Sequence, residues 1–138
     1  VQQRDTVESG SDEWEMKTRP PTGGELRDLE IGWVIAAHTK SNAIVIVNGG
    51  AAVGVGAGDQ SRVGAAQRAL TKAGDRARGG VAASDGFFPF RDGVDVLADA
   101  GVTAIVEPGG SVRDDEVIRA ATERDIAVMF THRRHFRH

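Results

Sequence analysis

Apolar positions first fall into a regular rhythm at Leu26, Leu29, Trp33 and Ala37, a spacing that predicts a helix with one apolar face running through about His38. Thr22, followed three residues later by Glu25, has the spacing of a capping box and marks the start of that helix. From Asn42 the period changes. The run AIVIV (43–47), the tight turn Asn48-Gly49-Gly50 and the run AAVGVG (51–56) predict a β-hairpin. A second helical period, Val63, Ala66, Leu70 and Ala73, spans 61–73 and stops near Gly74. Strand and helix then alternate: a strand at about 80–84, a helix over 94–100, a strand over 103–106, a helix over 113–124 and a strand over 126–130. Such alternation requires crossover connections and an at least partly parallel sheet, to which the hairpin adds an antiparallel pair. The expected fold is a three-layer α/β domain, a mixed sheet with helices on both faces. Residues 1–16 are polar and acidic without a period, and 1–21 read as a polar amino-terminal segment or linker in which Trp14 is the only large anchor.

Composition narrows what this domain does. With 138 residues the chain suits one domain with a real core. It has no cysteine, which excludes disulfides and thiolate metal sites and fits a cytoplasmic location. Twenty acidic against seventeen basic residues give a net charge of −3, which argues against nucleic-acid or membrane-surface partners. No apolar run approaches the roughly 20 residues of a membrane span. Residue 1 is Val rather than Met, an expectation of processing or of a start inside a longer polypeptide.

In sheets of this kind ligands gather at the carboxyl ends of the strands, so the segments that follow strands carry the candidate chemistry. The first, 54–62, is glycine-rich and leads into a helix, where Ser61 is placed to cap. Arg62 in the first turn opposes the helix dipole and calls for a compensating anion. The second, Ser84–Asp92 (SDGFFPFRD), holds three of the five phenylalanines, an arrangement suited to a flat ring system or to plugging the core. Asp92 is either an acceptor for ring N–H groups or a cap for the next helix. The third, Glu107-Pro108-Gly109-Gly110-Ser111, offers backbone at Gly110 and Ser111 to a ligand, and the acidic residues after it suit a helix amino terminus. The fourth is the basic ending from Thr131 to His138, a candidate anion site; the interleaved arginines argue against a metal on His132, His135 and His138. Asn42, where the first helix gives way to the first strand, either shapes the turn or orients a reacting carbonyl.

Taken in order, KTRPPT with ELRDL, KSNAIV, GAGDQSR, SDGFFPFRDGVD, PGGSVRDDEVI and the final RHFRH resemble the second half of the aminoimidazole carboxamide ribonucleotide (AICAR) transformylase family. In many organisms that domain follows an inosine monophosphate (IMP) cyclohydrolase domain. The resemblance covers about Lys17 to the last residue and implies a cytidine-deaminase-like fold without zinc, this chain supplying the second of two copies over 22–138. It implies formyl transfer from 10-formyltetrahydrofolate to the amine of AICAR in purine synthesis. Carried over by motif, Asn42 stands beside the reacting centre; Arg62, Phe87, Phe90, Asp92 and Ser111 line the folate pocket; Arg134, Phe136 and His138 contact the nucleotide. The resemblance also implies a homodimer in the intact enzyme, and it places the family's catalytic Lys-His pair upstream. No Lys-His dipeptide occurs in this chain, which is therefore expected to be inactive alone. A non-catalytic binding or scaffold module that kept the fold is the alternative. A zinc deaminase relative is excluded by the lack of cysteine.

Overall fold

A computed structural model of the chain describes residues 10–133. In chain order these form β1 (Glu15–Met16), α1 (Gly23–Ala37), β2 (Ile44–Asn48), β3 (Ala51–Gly56), α2 (Arg62–Ala73), β4 (Val81–Ser84), α3 (Asp92–Asp99), β5 (Ala104–Glu107), α4 (Asp114–Glu123) and β6 (Ala127–Phe130). The strands make one six-stranded sheet in the order β1-β6-β5-β4-β2-β3. Strands β4, β5 and β6 are parallel; β2 runs antiparallel to both β3 and β4, and β1 antiparallel to β6. The mixed sheet expected from the alternating pattern is present.

Two separate apolar clusters cover the two faces. Alternate residues of β2, Ile44 and Ile46, join α2, α3 and α4 in one cluster, while Val45 and Val47 join α1 in the other. The capping box at the start of α1 is complete: the Glu25 N–H donates to Thr22 Oγ1 at 3.1 Å and the Thr22 N–H to Glu25 Oε1 at 2.9 Å. On α1 the buried residues include Leu29, Trp33 and Ala36, so the stripe ends on Ala36 rather than Ala37.

Two features differ from the pattern-based expectation. Residues 10–21 do not hang free. Glu15 and Met16 pair with Phe130 and Met129, and Trp14 is buried edge-on against Trp33, with ring centroids 6.1 Å apart. A two-residue strand is too short to show a period, which is why only Trp14 stood out.

On α2 the sheet-facing residues are Ala65, Ala66, Ala69 and Ala73, with Val63 and Leu70 half-buried. The cause lies in β3. A Cβ built on Gly54 would stand 2.2 Å from the Ala69 carbonyl oxygen, and one on Gly56 only 2.0 Å from that of Ala65. Backbone therefore meets backbone, and only alanine fits on the facing helix.

Register places the candidate segments together. Ile44 faces both Ser84 and Gly56, Val106 pairs with Ala83, and Glu107 with Phe130. The start of β2 and the ends of β3, β4, β5 and β6 thus lie along one end of the sheet, and the loops that leave them form a single rim.

Candidate functional site

The rim is built around a buried carboxylate that sequence reasoning did not single out. Asp85 follows β4 and is almost wholly buried. Its carboxylate accepts hydrogen bonds from the Ala43 N–H at 3.0 Å, from the Ser41 hydroxyl and from Arg62 Nη1. Arg62 Nη2 in turn donates to Asn42 Oδ1 at 2.8 Å. A guanidinium has only donors, so it fixes the carbonyl end of the Asn42 amide toward itself and leaves the NH₂ end as the group Asn42 can offer a ligand. The anion that Arg62 required is therefore supplied by the protein itself.

The glycine-rich turn serves the same centre. The Gly58 N–H donates to the Lys40 carbonyl at 2.8 Å, and Asn42 and Asp59 exchange backbone bonds at 3.3 and 3.4 Å. This lays residues 57–59 against the Asn42 turn. Ser61 caps α2, accepting from the Gly64 N–H at 2.9 Å. Gly86 leaves room for the guanidinium: a Cβ there would meet Arg62 Nη2 at 2.5 Å.

A cavity of about 410 Å³ opens beside this cluster, lined by residues that include Asn42, Arg62, Phe87, Pro89, Phe90 and Asp92. That size suits a small-molecule site. The three phenylalanines divide their work. Phe88 is fully buried and packs on Gly93, whose missing side chain makes room for its ring. Phe87 lines the cavity, and Phe90, half exposed, forms its outer wall with the Arg113 guanidinium 5.1 Å above its ring. Asp92 opens α3 but makes no side-chain cap. Among the described residues its exposed carboxylate has no hydrogen-bond or ion-pair partner.

Asn42, Arg62, Phe87, Phe90 and Asp92 are thus brought to one cavity; Ser111 is not. Asp114 takes the Gly110 and Ser111 N–H groups at 2.8 and 3.1 Å, and the Ser111 hydroxyl accepts from the Arg113 N–H at 3.0 Å. The loop is closed on itself at the amino terminus of α4.

A smaller hollow of about 280 Å³ adjoins, lined by Phe87, Pro108, Gly109, Gly110 and His132. The chain beyond β6 is anchored: His132 Nε2 is 2.7 Å from Glu15 Oε1, and Arg133 pairs with Glu13 at 2.6 Å. Arg134, Phe136 and His138 lie outside the described residues. Among the described residues no group of three or more His, Asp or Glu side chains stands ready to hold a metal ion, and no helix is long and apolar enough to cross a membrane.

Comparison with known proteins decides the lineage. The family model described as the AICARFT/IMPCHase bienzyme matches residues 1–72. The chain belongs to that family. The bifunctional purine biosynthesis protein PurH of Parasynechococcus marenigrum is 48% identical over 139 residues, covering 100% of this chain and 27% of the relative. PurH of Shouchella clausii is 54% identical over 120 residues, covering 87% of this chain and 24% of the relative. The chain thus spans about a quarter of the length of the curated relatives it matches. Among solved structures, RibD of Acinetobacter baumannii (form 1) aligns with a TM-score of 0.51 at 17% identity, over 78% of this chain and 34% of that one, a likeness of fold alone.

For a member of the AICARFT/IMPCHase family, Asp85 is the informative addition. An acidic residue beside a glycine in a loop reads as solvated. Its one sequence signal was indirect: Arg62 needed an anion, and Asp85 follows the neighbouring strand.

Proposed function

We propose that this chain is the carboxy-terminal subdomain of an AICAR formyltransferase and forms the folate-facing part of its active site, within a cytidine-deaminase-like three-layer fold. In the whole enzyme the reaction is transfer of a formyl group from 10-formyltetrahydrofolate to the amine of AICAR, in the purine pathway to which the relatives belong. The observation that carries the reading is the unpartnered Asp92 carboxylate at the mouth of a cavity walled by Phe87, Pro89 and Phe90. A pterin is flat, with a hydrogen-bond-donating edge of ring N–H and NH₂ groups. It fits a slot with aromatic faces and a free acceptor at its end.

Bound there, 10-formyltetrahydrofolate supplies the one-carbon group; the chain's own residues hold and orient it. Asn42, its carbonyl held by Arg62, points its N–H groups at an oxygen that gains negative charge as the formyl carbon is attacked. Asp85 keeps Arg62 in place. Phe87 and Phe90 exclude water from the ring and set its plane. The nucleotide is assigned to the basic ending, with Arg134 on its phosphate and Phe136 and His138 beside it. The acid–base work of moving the proton off a weakly nucleophilic amine belongs to a Lys-His segment upstream, so the chain by itself is inactive. A homodimer, a cytoplasmic location and a fused IMP cyclohydrolase domain complete the proposal.

The test is Asp92→Ala in the enzyme that joins this chain to the upstream half. Loss of a charge-assisted hydrogen bond of about 1.5–3 kcal/mol predicts tetrahydrofolate binding weaker by roughly 10- to 100-fold by calorimetry, with thermal stability little changed because the side chain is exposed and bonds nothing. Unchanged affinity would remove Asp92, and with it the orientation of the pterin, from the proposal.

A further inference from the structure

Glu116, in the first turn of α4, reaches out of its own helix to the aromatic loop, and the mechanism above makes no use of it. Its Oε2 accepts a hydrogen bond from the Arg91 backbone N–H at 2.9 Å, a contact between residues 25 apart in sequence. Its Oε1 stands 3.6 Å from Arg113 Nη1, and the Arg113 guanidinium lies 5.1 Å above the centre of the Phe90 ring. Arg113 is not among the residues that line the cavity, so it rests on that ring from outside. One carboxylate thus serves two segments, the loop after β4 directly and, through Arg113, the wall that this loop presents. Both partners are pure donors, which suits a carboxylate.

The bonded residue is well placed to matter. Arg91 stands between Phe90 and Asp92, the wall and the free acceptor of the cavity, and it is the residue at which the loop gives way to α3. Its side chain is tied to the same helix pair: Nε and Nη2 reach Asp95 of α3 at 2.8 and 3.2 Å, and Nη2 reaches Glu123 of α4 at 2.8 Å. Those ion pairs are partly exposed, and pairs of that kind stabilise little. The bond to Glu116 differs in kind, because a backbone N–H fixes the course of the chain itself.

We propose that Glu116 is a positioning residue for the ligand slot: it clasps the Phe90–Asp92 segment to α4 and holds Arg113 against Phe90, so that the aromatic wall and the Asp92 acceptor keep a fixed separation. A flat ring that must meet both at once is bound less well when that separation wanders. The value of the clasp to a pterin rests on the function proposed above; the clasp itself does not, and the two are tested apart.

Hydrogen–deuterium exchange read by mass spectrometry follows the peptide spanning 87–92 in the enzyme that joins this chain to the upstream half, in the wild type, Glu116→Ala and Glu116→Gln. Glutamine keeps a carbonyl oxygen for the Arg91 N–H but offers Arg113 no charge. The expected result is faster exchange in Glu116→Ala, protection restored in Glu116→Gln, and peptides from β4 and β5 unchanged in both. Exchange that is unchanged in Glu116→Ala, equally fast in Glu116→Gln, or raised throughout the chain overturns the clasp.

The second arm measures tetrahydrofolate and AICAR binding to the same proteins and to Arg113→Ala by calorimetry. Tetrahydrofolate is expected to bind Glu116→Ala about three- to tenfold more weakly, the worth of roughly one hydrogen bond. Glu116→Gln and Arg113→Ala, which lose only the brace on Phe90, are expected to lose less, and AICAR affinity is expected to hold in all three. Faster exchange with unchanged tetrahydrofolate affinity, or an equal loss for both ligands, overturns the positioning role. A wild-type enzyme in which exchange shows the clasp but tetrahydrofolate does not bind overturns the folate reading alone.

Discussion

Asp85→Ala is expected to destabilise the fold by about 3–5 kcal/mol, the loss found when one member of a buried ion pair is removed and the other left behind. The side chains of Asp85 and Arg62 are only 2% and 13% exposed, so water does not take over the role of the missing partner. The same change strips the Ala43 N–H and the Ser41 hydroxyl of their acceptor. Urea unfolding measures the loss directly, and a cost below 1 kcal/mol would contradict the assigned role.

A second variant separates stability from positioning. Replacing both partners, Asp85→Leu with Arg62→Leu, removes the buried charges together and is expected to recover most of the lost stability. It still leaves the Asn42 amide free to turn, so ligand binding stays lost. Recovery of binding along with stability would mean that the pair holds the fold without orienting Asn42.

Gly56→Ala is expected to be comparably severe, for a reason of packing alone. The added methyl would stand 2.0 Å from the Ala65 carbonyl oxygen and 2.9 Å from the carbonyl carbon, and neither belongs to a side chain that can rotate away. Helix α2 must then lift from β3, opening the contacts of Ala65, Ala66, Ala69 and Ala73 with the sheet. Overpacking of this kind costs about 3 kcal/mol. The melting temperature should fall by roughly 10 °C. Because α2 carries Ser61 and Arg62 at its amino terminus, the site is displaced too. Gly24→Ala is the control: nothing lies within 4 Å of its Cβ, and it sits inside α1, so it should be neutral or slightly stabilising. Equal losses in the two variants would show that the close approach of β3 and α2 is not the cause.

These cases show what a sequence displays and what it hides. The capping box of Thr22 and Glu25, the Asn48-Gly49-Gly50 hairpin and the alternation of elements were legible because each rests on neighbours within four residues. Helix ends fell within about two residues of their observed places for the same reason. The facing side of α2 was not legible, since it is dictated by glycines on a different strand. Nor was the sorting of Phe87, Phe88 and Phe90, because a single loop turn has no period to read. Asp85 and Glu116 stayed hidden because an acidic residue in a loop and one in the first turn of a helix look alike whether solvated or bonded across the fold. Only the assembled sheet puts Asp85 against Arg62 and Glu116 against Arg91. The cavity residues Asn42, Arg62, Phe87, Phe90 and Asp92 stood in the segments that follow strands or open them, the family motifs gave them their expected roles, and the fold brings all five to one rim.

The most direct test of the account is formyl transfer itself. This chain and the upstream half of an AICARFT/IMPCHase relative, each alone and then joined in one polypeptide, are incubated with 10-formyltetrahydrofolate and AICAR, and formyl-AICAR is measured. The account predicts no product from either half, product from the joined enzyme, and a drop of at least tenfold in product at limiting folate on introducing Asp92→Ala. Turnover by this chain alone, or by the upstream half without it, would contradict the account.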